Sequence, residues 1–364
     1  MTLDSHSNEQ TGQPFVSVVI PMYNGEEYLR ECIESVLAQM YTNWELVILN
    51  NCSTDRSLEI AREYAANDKR IRVYSNEQFL PIIANHNAAL NRMSPESKYC
   101  KTLMADDWLF PNCLEEMVRR AEMHPSIGLV TAYALYGKSV FVTGLPYPSM
   151  FVPGREICRS ILLGGSYRFG SPTAVLIRAD LIRKRQPFYN ETNLHADYES
   201  CVDILQESDF GFVHQVLSYD RVHEKSVTTG AEIFETISLG DLAVAMKYGP
   251  AFLTKDEWAQ RSKTELDKYY RVLARNVLRR RKPEFWDFQR RKLSEIGCAL
   301  DKGRLARAVL REVLNDLLHP ISTLSAIQNW WLKPGKRALH DEPGKSAAKK
   351  GSIVENGTVR GIHS

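Results

Sequence analysis

The 364 residues contain no Cys-x-x-Cys pair, no run of 18 uncharged apolar residues and no basic-then-apolar leader. Each absence excludes a class of protein. Cysteines without paired spacing supply neither a zinc cage nor a dithiol redox motif. The seven present (Cys32, Cys52, Cys100, Cys113, Cys158, Cys201 and Cys298) are odd in number and scattered, so free thiols are expected. Without a long apolar run there is no spanning helix. The opening MTLDSHSNEQTGQP is too polar for a secretory signal. A cytoplasmic location is expected, with residues 1–14 a disordered tail. What is present is ordinary for a folded enzyme: 44% hydrophobic, 25% charged and 10% aromatic residues. The length suits about two domains.

The formal net charge of +2 conceals an asymmetry. Residues 255–364 carry 24 Lys and Arg against 13 Asp and Glu, a net +11, which leaves −9 on the preceding 254. A basic third on an acidic body calls for an anionic partner for that third.

Along the first 130 residues, apolar runs alternate with helical periodicity. Val16 to Ile20, Trp44 to Leu49, Ile71 to Tyr74, Tyr99 to Met104 and Ile127 to Ala132 read as strands, the first stopped by Pro21. Residues 26–39, 57–66, 82–90 and 113–123 read as helices. This alternation implies βαβ units and a mostly parallel sheet flanked by helices. Ligands of such sheets bind beyond the carboxyl ends of the strands. Three polar clusters fall there: Tyr23-Asn24, Asn50 to Asp55 and Asp106-Asp107.

The stretch VSVVIPMYNGEEYLRECIESVLAQMYTNWELVILNNCSTDRSLEIA resembles the opening of family 2 glycosyltransferases. The resemblance continues through RIRVYSNEQFLPIIANHNAAL and KTLMADDWLFPNCLEEMV, resumes at LHADYES and RVHEKS, and covers about residues 15–230. It implies the GT-A fold, a Rossmann-like nucleotide-sugar domain. It also implies inverting transfer of a sugar from a nucleoside diphosphate donor to a carbohydrate or lipid-linked acceptor, with Mn²⁺ or Mg²⁺. By resemblance, Asp107 is a metal ligand and Asp106 faces the ribose or a metal-bound water. Pro21, Tyr23, Asn24, Asn51 and Asn87 line the nucleotide pocket. Asp197 is the general base, with Glu199 the alternative, and His223 joins the metal site from a basic segment that closes over the diphosphate.

The chemistry suits those residue types. Negative charge builds on the departing diphosphate, and a hard cation held by carboxylates neutralises it. An acceptor hydroxyl needs a carboxylate to take its proton. The chain departs from the family pattern at Asn50 and Asn51, where aspartates are usual, and at His86, Met104 and Ala196. Asp55 reads as a helix cap. Gly164 to Thr173 lacks the Gly-Lys-Ser/Thr of a phosphate loop and reads as acceptor-side lining.

From Ala231 to Lys333 the pattern is helical, with basic runs at 279–282 and 290–292 beside Phe285, Trp286 and Phe288. The stretch 321–332 is amphipathic and ends in Trp330-Trp331, which suits either packing on its own domain or the inner face of an anionic membrane. No nucleic-acid motif accompanies the basic runs. Residues 334–364 read as a disordered tail. Two rival functions stay open. A nucleotidyltransferase shares the sheet type, but PMYNGEEYL lacks the glycine-rich basic loop that it requires. A sugar-nucleotide-binding module without transfer activity would explain the missing acids, yet Asp106, Asp107 and Asp197 are all present.

Overall fold

The computed structural model describes residues 12–140, 144–165, 169–193, 195–222 and 234–318. Its first half is a parallel sheet built as the alternation dictates: β1 (Val16–Met22), α1 (Leu29–Leu37), β2 (Trp44–Asn50), α2 (Ser57–Asn67), β3 (Ile71–Ser75), α3 (Ile82–Leu90) and β4 (Tyr99–Thr102). Strand β1 lies between β2 and β4, and β3 flanks β2, all parallel. Every residue of β1 and β2 is buried, and their side chains alternate between two cores. Val18, Ile20, Met22, Leu46 and Ile48 pack with Leu29, Ile33 and Val36 of α1. Val19, Val47 and Leu49 face the other way, toward Ala89 and Leu90 of α3. This period of two is why the strands read as unbroken apolar runs.

Pro21 does not end β1, which continues to Met22 in register with Asn50. Pairing with β4 stops at Val19↔Thr102. Beyond that point one side of β1 has no ladder, so a residue without an N–H is tolerated there.

The second half turns the sheet mixed. It comprises β5 (Trp108–Leu109), α4 (Cys113–Glu122), β6 (Ile127–Tyr136), β7 (Ser139–Val140), β8 (Phe151–Val152), α5 (Gly154–Leu162), β9 (Val175–Arg178), α6 (Ala179–Arg183), α7 (Ala196–Ile204) and β10 (Asp209–Asp220). The strand order is β3-β2-β1-β4-β9-β6-β10-β5, with β7 on β6 and β8 on β10. Strand β9 runs antiparallel between β4 and β6, whereas β6 and β10 are parallel. All seven cysteines are free thiols.

Four helices follow: α8 (Thr236–Phe252), α9 (Lys255–Leu278), α10 (Pro283–Glu295) and α11 (Lys302–Leu318). Helix α8 inserts Val244, Ala245, Tyr248 and Phe252 into the core shared with α3, α5 and α7. Its neighbour α9 starts at a capping box formed by Thr254 and Glu257. Phe285, Trp286 and Phe288 belong to a third core with Leu239, Tyr269 and Leu273. The chain divides into two compact units, Met1–Val309 and Leu310–Ser364. In the second, the end of α11 exposes Leu310, Val313, Leu314, Leu317 and Leu318 along one stripe. Residues 319–364, with Trp330 and Trp331, lie outside the described residues. No described helix is long and apolar enough to cross a membrane.

Candidate active site at the carboxyl edge of the sheet

The loops after β1 and β2 interlock. Asn24, at a φ of 47°, accepts through Oδ1 from the Thr54 N–H at 2.8 Å, and its own N–H donates to Ser53 Oγ at 3.0 Å. The Gly25 N–H donates to Ser57 Oγ at 2.8 Å, the Glu26 N–H to Asp55 Oδ2 at 3.1 Å. A Cβ on Gly25 would stand 3.3 Å from Ala105 Cβ, so this loop lies against the turn that carries Asp106. Asp55 caps α2, accepting from the Ser57 N–H and hydroxyl at 3.0 and 2.6 Å. Burial pushes its carboxyl up, but these bonds prevail and hold it below the usual range.

Three carboxylates gather beside these loops. Asp107 is buried, accepting from Thr173 Oγ1 at 2.5 Å and from the Arg221 N–H at 2.9 Å. Arg221 reaches back: its Nε donates to the Asp106 carbonyl at 2.9 Å, and its guanidinium pairs with Glu31 at 2.5 Å, 4.3 Å from the Tyr28 ring centre. Asp220, at the end of β10, is also buried, and its Oδ1 has no hydrogen-bond partner of normal geometry. Burial, then the charges of Asp220 and Asp106, pushes Asp107 well above the carboxylate range. Burial foremost, aided by Asp106 and opposed by Ser171 and Lys101, pushes Asp220 up to about 6. Beneath them the buried Lys101 Nζ donates to the Thr173 carbonyl at 2.5 Å.

Among the described residues Lys101 is the buried ammonium that faces Asp107 and Asp220, and a divalent cation would relieve the burial and repulsion that raise both carboxyls. Among the described residues no group of three or more His, Cys, Asp or Glu is arranged to hold a metal by itself. Mg²⁺ and Mn²⁺ need only one or two carboxylates when substrate phosphates complete the shell. Hard oxygens at Asp106 and Asp107 therefore fit such an ion. Asp106 is half-buried, whereas both oxygens of Asp107 are engaged within the protein. His223 lies outside the described residues.

The segment Gly170 to Ala174 joins this cluster to Asp197. Thr173 holds Asp107, while Ser171 and Pro172 line a narrow crevice with Thr102, Tyr189 and Asp197. Asp197 sits in the first turn of α7. Burial pushes its carboxyl up, although the Tyr198 N–H and His195 favour the ionised form. Glu199 points elsewhere. It accepts from Asn193 Nδ2 at 2.7 Å and Asn190 Nδ2 at 3.1 Å, and pairs with Lys247 Nζ at 2.7 Å, tying residues 190–193 to α8. His195 and Glu199 line a cavity of about 720 Å³ with Ile82, Asn193, Leu239 and Phe288. Residues two apart on a helix point to different sides, so α7 separates this cavity from the Asp197 crevice.

The sequence reading puts Asn24, Asn51 and Asn87 on the nucleotide, but all three carboxamides are engaged within the protein. Asn51 accepts from the Leu80 N–H and from Asn76 Nδ2, both at 2.9 Å, and donates to the Leu80 carbonyl at 2.8 Å. Asn87 accepts from the Tyr189 N–H at 2.8 Å and donates to its carbonyl at 2.9 Å. Pro21 is buried within β1. Tyr23 is 49% exposed at the site edge. His86 is pushed down to about 4 by burial and so offers no charge at neutral pH. Asp220 and Lys101 escaped the sequence reading, and Thr173 entered it only as the end of the segment read as acceptor-side lining. Asp220 carried the one usable signal, an acid at a strand's carboxyl end.

Residues 17–185 match the profile of Glycosyl transferase family 2. The putative glycosyltransferase EpsE of Bacillus subtilis is 33% identical over 157 residues, 41% of this chain and 56% of that protein. The chain thus spans little more than half of that relative's length. The S. aureus TarS 1–349 structure in complex with UDP-GlcNAc aligns over 78% of this chain and 80% of that one, at a TM-score of 0.57 and 18% identity. The mannosyltransferase PcManGT from Pyrobaculum calidifontis, in complex with GDP-Man and Mn²⁺, aligns over 92% of this chain and 89% of its own, at 0.52 and 13%. Residues 17–185 thus carry the match to the glycosyltransferase family 2 profile, in a chain whose fold is the GT-A fold of these solved structures.

Proposed function

We propose that the chain is an inverting glycosyltransferase that moves a sugar from a nucleoside diphosphate donor to an acceptor hydroxyl. The observation that carries this reading is the 171–173 segment, which connects the Asp106–Asp107 turn to the raised carboxyl of Asp197. One end of the site suits a diphosphate and its cation, and the other suits an incoming alcohol. A Mn²⁺ or Mg²⁺ ion bound at Asp106 and Asp107 would supply charge neutralisation for the departing diphosphate. Arg221 fixes that turn through the Asp106 carbonyl and its own N–H on Asp107. Asp197 takes the acceptor proton. Its burial keeps it more basic than a surface aspartate, which suits general-base work near neutral pH. The hydroxyl oxygen then attacks the anomeric carbon from the face opposite the diphosphate, and that bond breaks.

The binding-module reading leaves a desolvated Asp197 without a use, and no glycine-rich basic loop follows β1 as a nucleotidyltransferase requires. The acceptor we propose is a carbohydrate or lipid-linked chain of a surface polysaccharide or glycolipid. Work on such an acceptor places the enzyme in the cytoplasm, peripherally on an anionic inner membrane face. The net +11 of residues 255–364 and the leucine stripe on α11 support that placement.

Thermal shift against a panel of nucleotide sugars with Mn²⁺ tests the donor half. A cognate donor at about 100 times its Kd adds about 2.7 kcal/mol to stability. The expected result is a shift with at least one nucleotide sugar that a chelator abolishes. No shift across the panel would overturn the reading.

A further inference from the structure

Strand β2 lies between β1 and β3, and two aromatic rings meet over its carboxyl end. Tyr23 follows β1, and Phe79 lies in the loop after β3. Their ring centres are 5.0 Å apart at an interplanar angle of 66°, so they meet edge to face. Neither is core: Tyr23 is 49% exposed and Phe79 57%. A single exposed aromatic needs no explanation. Here two are braced against each other, on a loop whose backbone is pinned. Asn51 bonds both the N–H and the carbonyl of Leu80, the residue after Phe79. Asn76 bonds the Asn50 carbonyl through its N–H at 2.9 Å and Asn85 Oδ1 through its side chain at 2.9 Å. A rigid, exposed ring at the carboxyl edge of a parallel sheet is a stacking platform.

The two residues at the end of β2 and just past it, Asn50 and Asn51, are uncharged. Asn50 accepts from the Ser53 N–H at 3.1 Å, and Asn51 is engaged with Leu80 and Asn76. Asn50 and Asn51 therefore offer no carboxylate at the end of β2 to read the edge of a base. We infer that Phe79, braced by Tyr23, is the nucleobase platform of this site, and that the site recognises a base by its ring face. Pyrimidine and purine nucleoside diphosphates should then bind within about tenfold of each other. This rests on the donor-binding reading above and adds to it the residue and the mode of base recognition.

The test is calorimetric titration of UDP, GDP and inorganic pyrophosphate, each with Mn²⁺, into the full chain and its Phe79→Ala and Phe79→Trp variants. Phe79 is exposed, so its removal opens no core cavity. Stacking losses on alanine substitution correspond to about 5- to 100-fold in affinity. Phe79→Ala should weaken UDP and GDP by that range and leave pyrophosphate unchanged, while Phe79→Trp retains both nucleotides. Unchanged nucleotide affinity in Phe79→Ala, or an equal loss of pyrophosphate, overturns the platform. So does discrimination between UDP and GDP well beyond about tenfold in the unmodified chain. If Phe79→Ala is silent while Asp106→Asn still abolishes Mn²⁺-dependent nucleotide binding, the platform fails and the donor reading stands. Failure of the unmodified chain to bind any nucleotide overturns both.

Discussion

On α7, Asp197 turns toward the crevice beside Ser171, and Glu199 toward Asn193 and Lys247. Glu199 is ringed by side-chain donors, whereas Asp197 has only the Tyr198 N–H, its own backbone and the His195 charge to set against its burial. Asp197→Asn keeps the shape and cannot take a proton. Turnover should fall by about 10² to 10⁴ with donor affinity unchanged, a split read from kcat against nucleotide Kd. The same variant bears on stability. The folded carboxyl holds its proton to higher pH than the unfolded one, so ionising it costs the fold stability as pH rises through the folded value. Asp197→Asn should therefore raise Tm relative to the unmodified chain at pH 7. The gain should vanish below about pH 4, where the unfolded carboxyl is protonated as well. Glu199→Gln should instead lower stability, by about 1–3 kcal/mol, and leave turnover near normal. The reverse pattern would move the base to Glu199.

Loops after neighbouring strands are held here by asparagine, one carboxamide closing two backbone bonds at once. Asn87 closes both polar groups of Tyr189 across 102 residues of sequence. Asn87→Ala should cost about 1–3 kcal/mol for each backbone group it orphans, measured by denaturant unfolding, with nucleotide affinity unaffected. A weakened nucleotide Kd without lost stability would restore Asn87 to the donor pocket. The acidic turn behaves differently, because Asp107 serves fold and charge together. Asp107→Ala should abolish cation-dependent nucleotide binding and also destabilise by about 1–3 kcal/mol, since Thr173 and the Arg221 N–H lose their acceptor. Asp106→Asn should abolish the same binding with little change in unfolding midpoint. Cation-dependent nucleotide affinity that both variants retain unchanged would overturn the cation site.

Over the whole molecule the charge asymmetry sets a further expectation. The full chain should co-sediment with anionic vesicles at low salt and release at high salt, because surface attraction is screened over about 10 Å at 0.1 M. Equal binding to neutral vesicles would count against an electrostatic account. The aromatics beside the basic runs do not support membrane contact, because Phe285, Trp286 and Phe288 are taken up in the third core. The leucine stripe of α11 is the apolar face that remains among the described residues of that third.

Local pattern was enough for the first half of the sheet. Val16 to Met22 and Trp44 to Asn50 are buried on both faces, so the apolar run, the helical periodicity between them and the capping Asp55 each carried their own evidence. The acids proposed to bear the chemistry were legible for a related reason: Asp106 and Asp107 lie in the turn between β4 and β5, and Asp197 in the first turn of α7, where spacing marks them. Everything that depends on who meets whom was not legible. Thr173 on Asp107, Lys101 beneath the turn, Asp220 as a third carboxylate and Phe79 against Tyr23 pair residues 56 or more apart in sequence. The same holds for the asparagines. A carboxamide carries both donor and acceptor, so its residue type suits a ligand or a loop equally well. Only the tertiary structure, by bringing Leu80 to Asn51 and Tyr189 to Asn87, decided which.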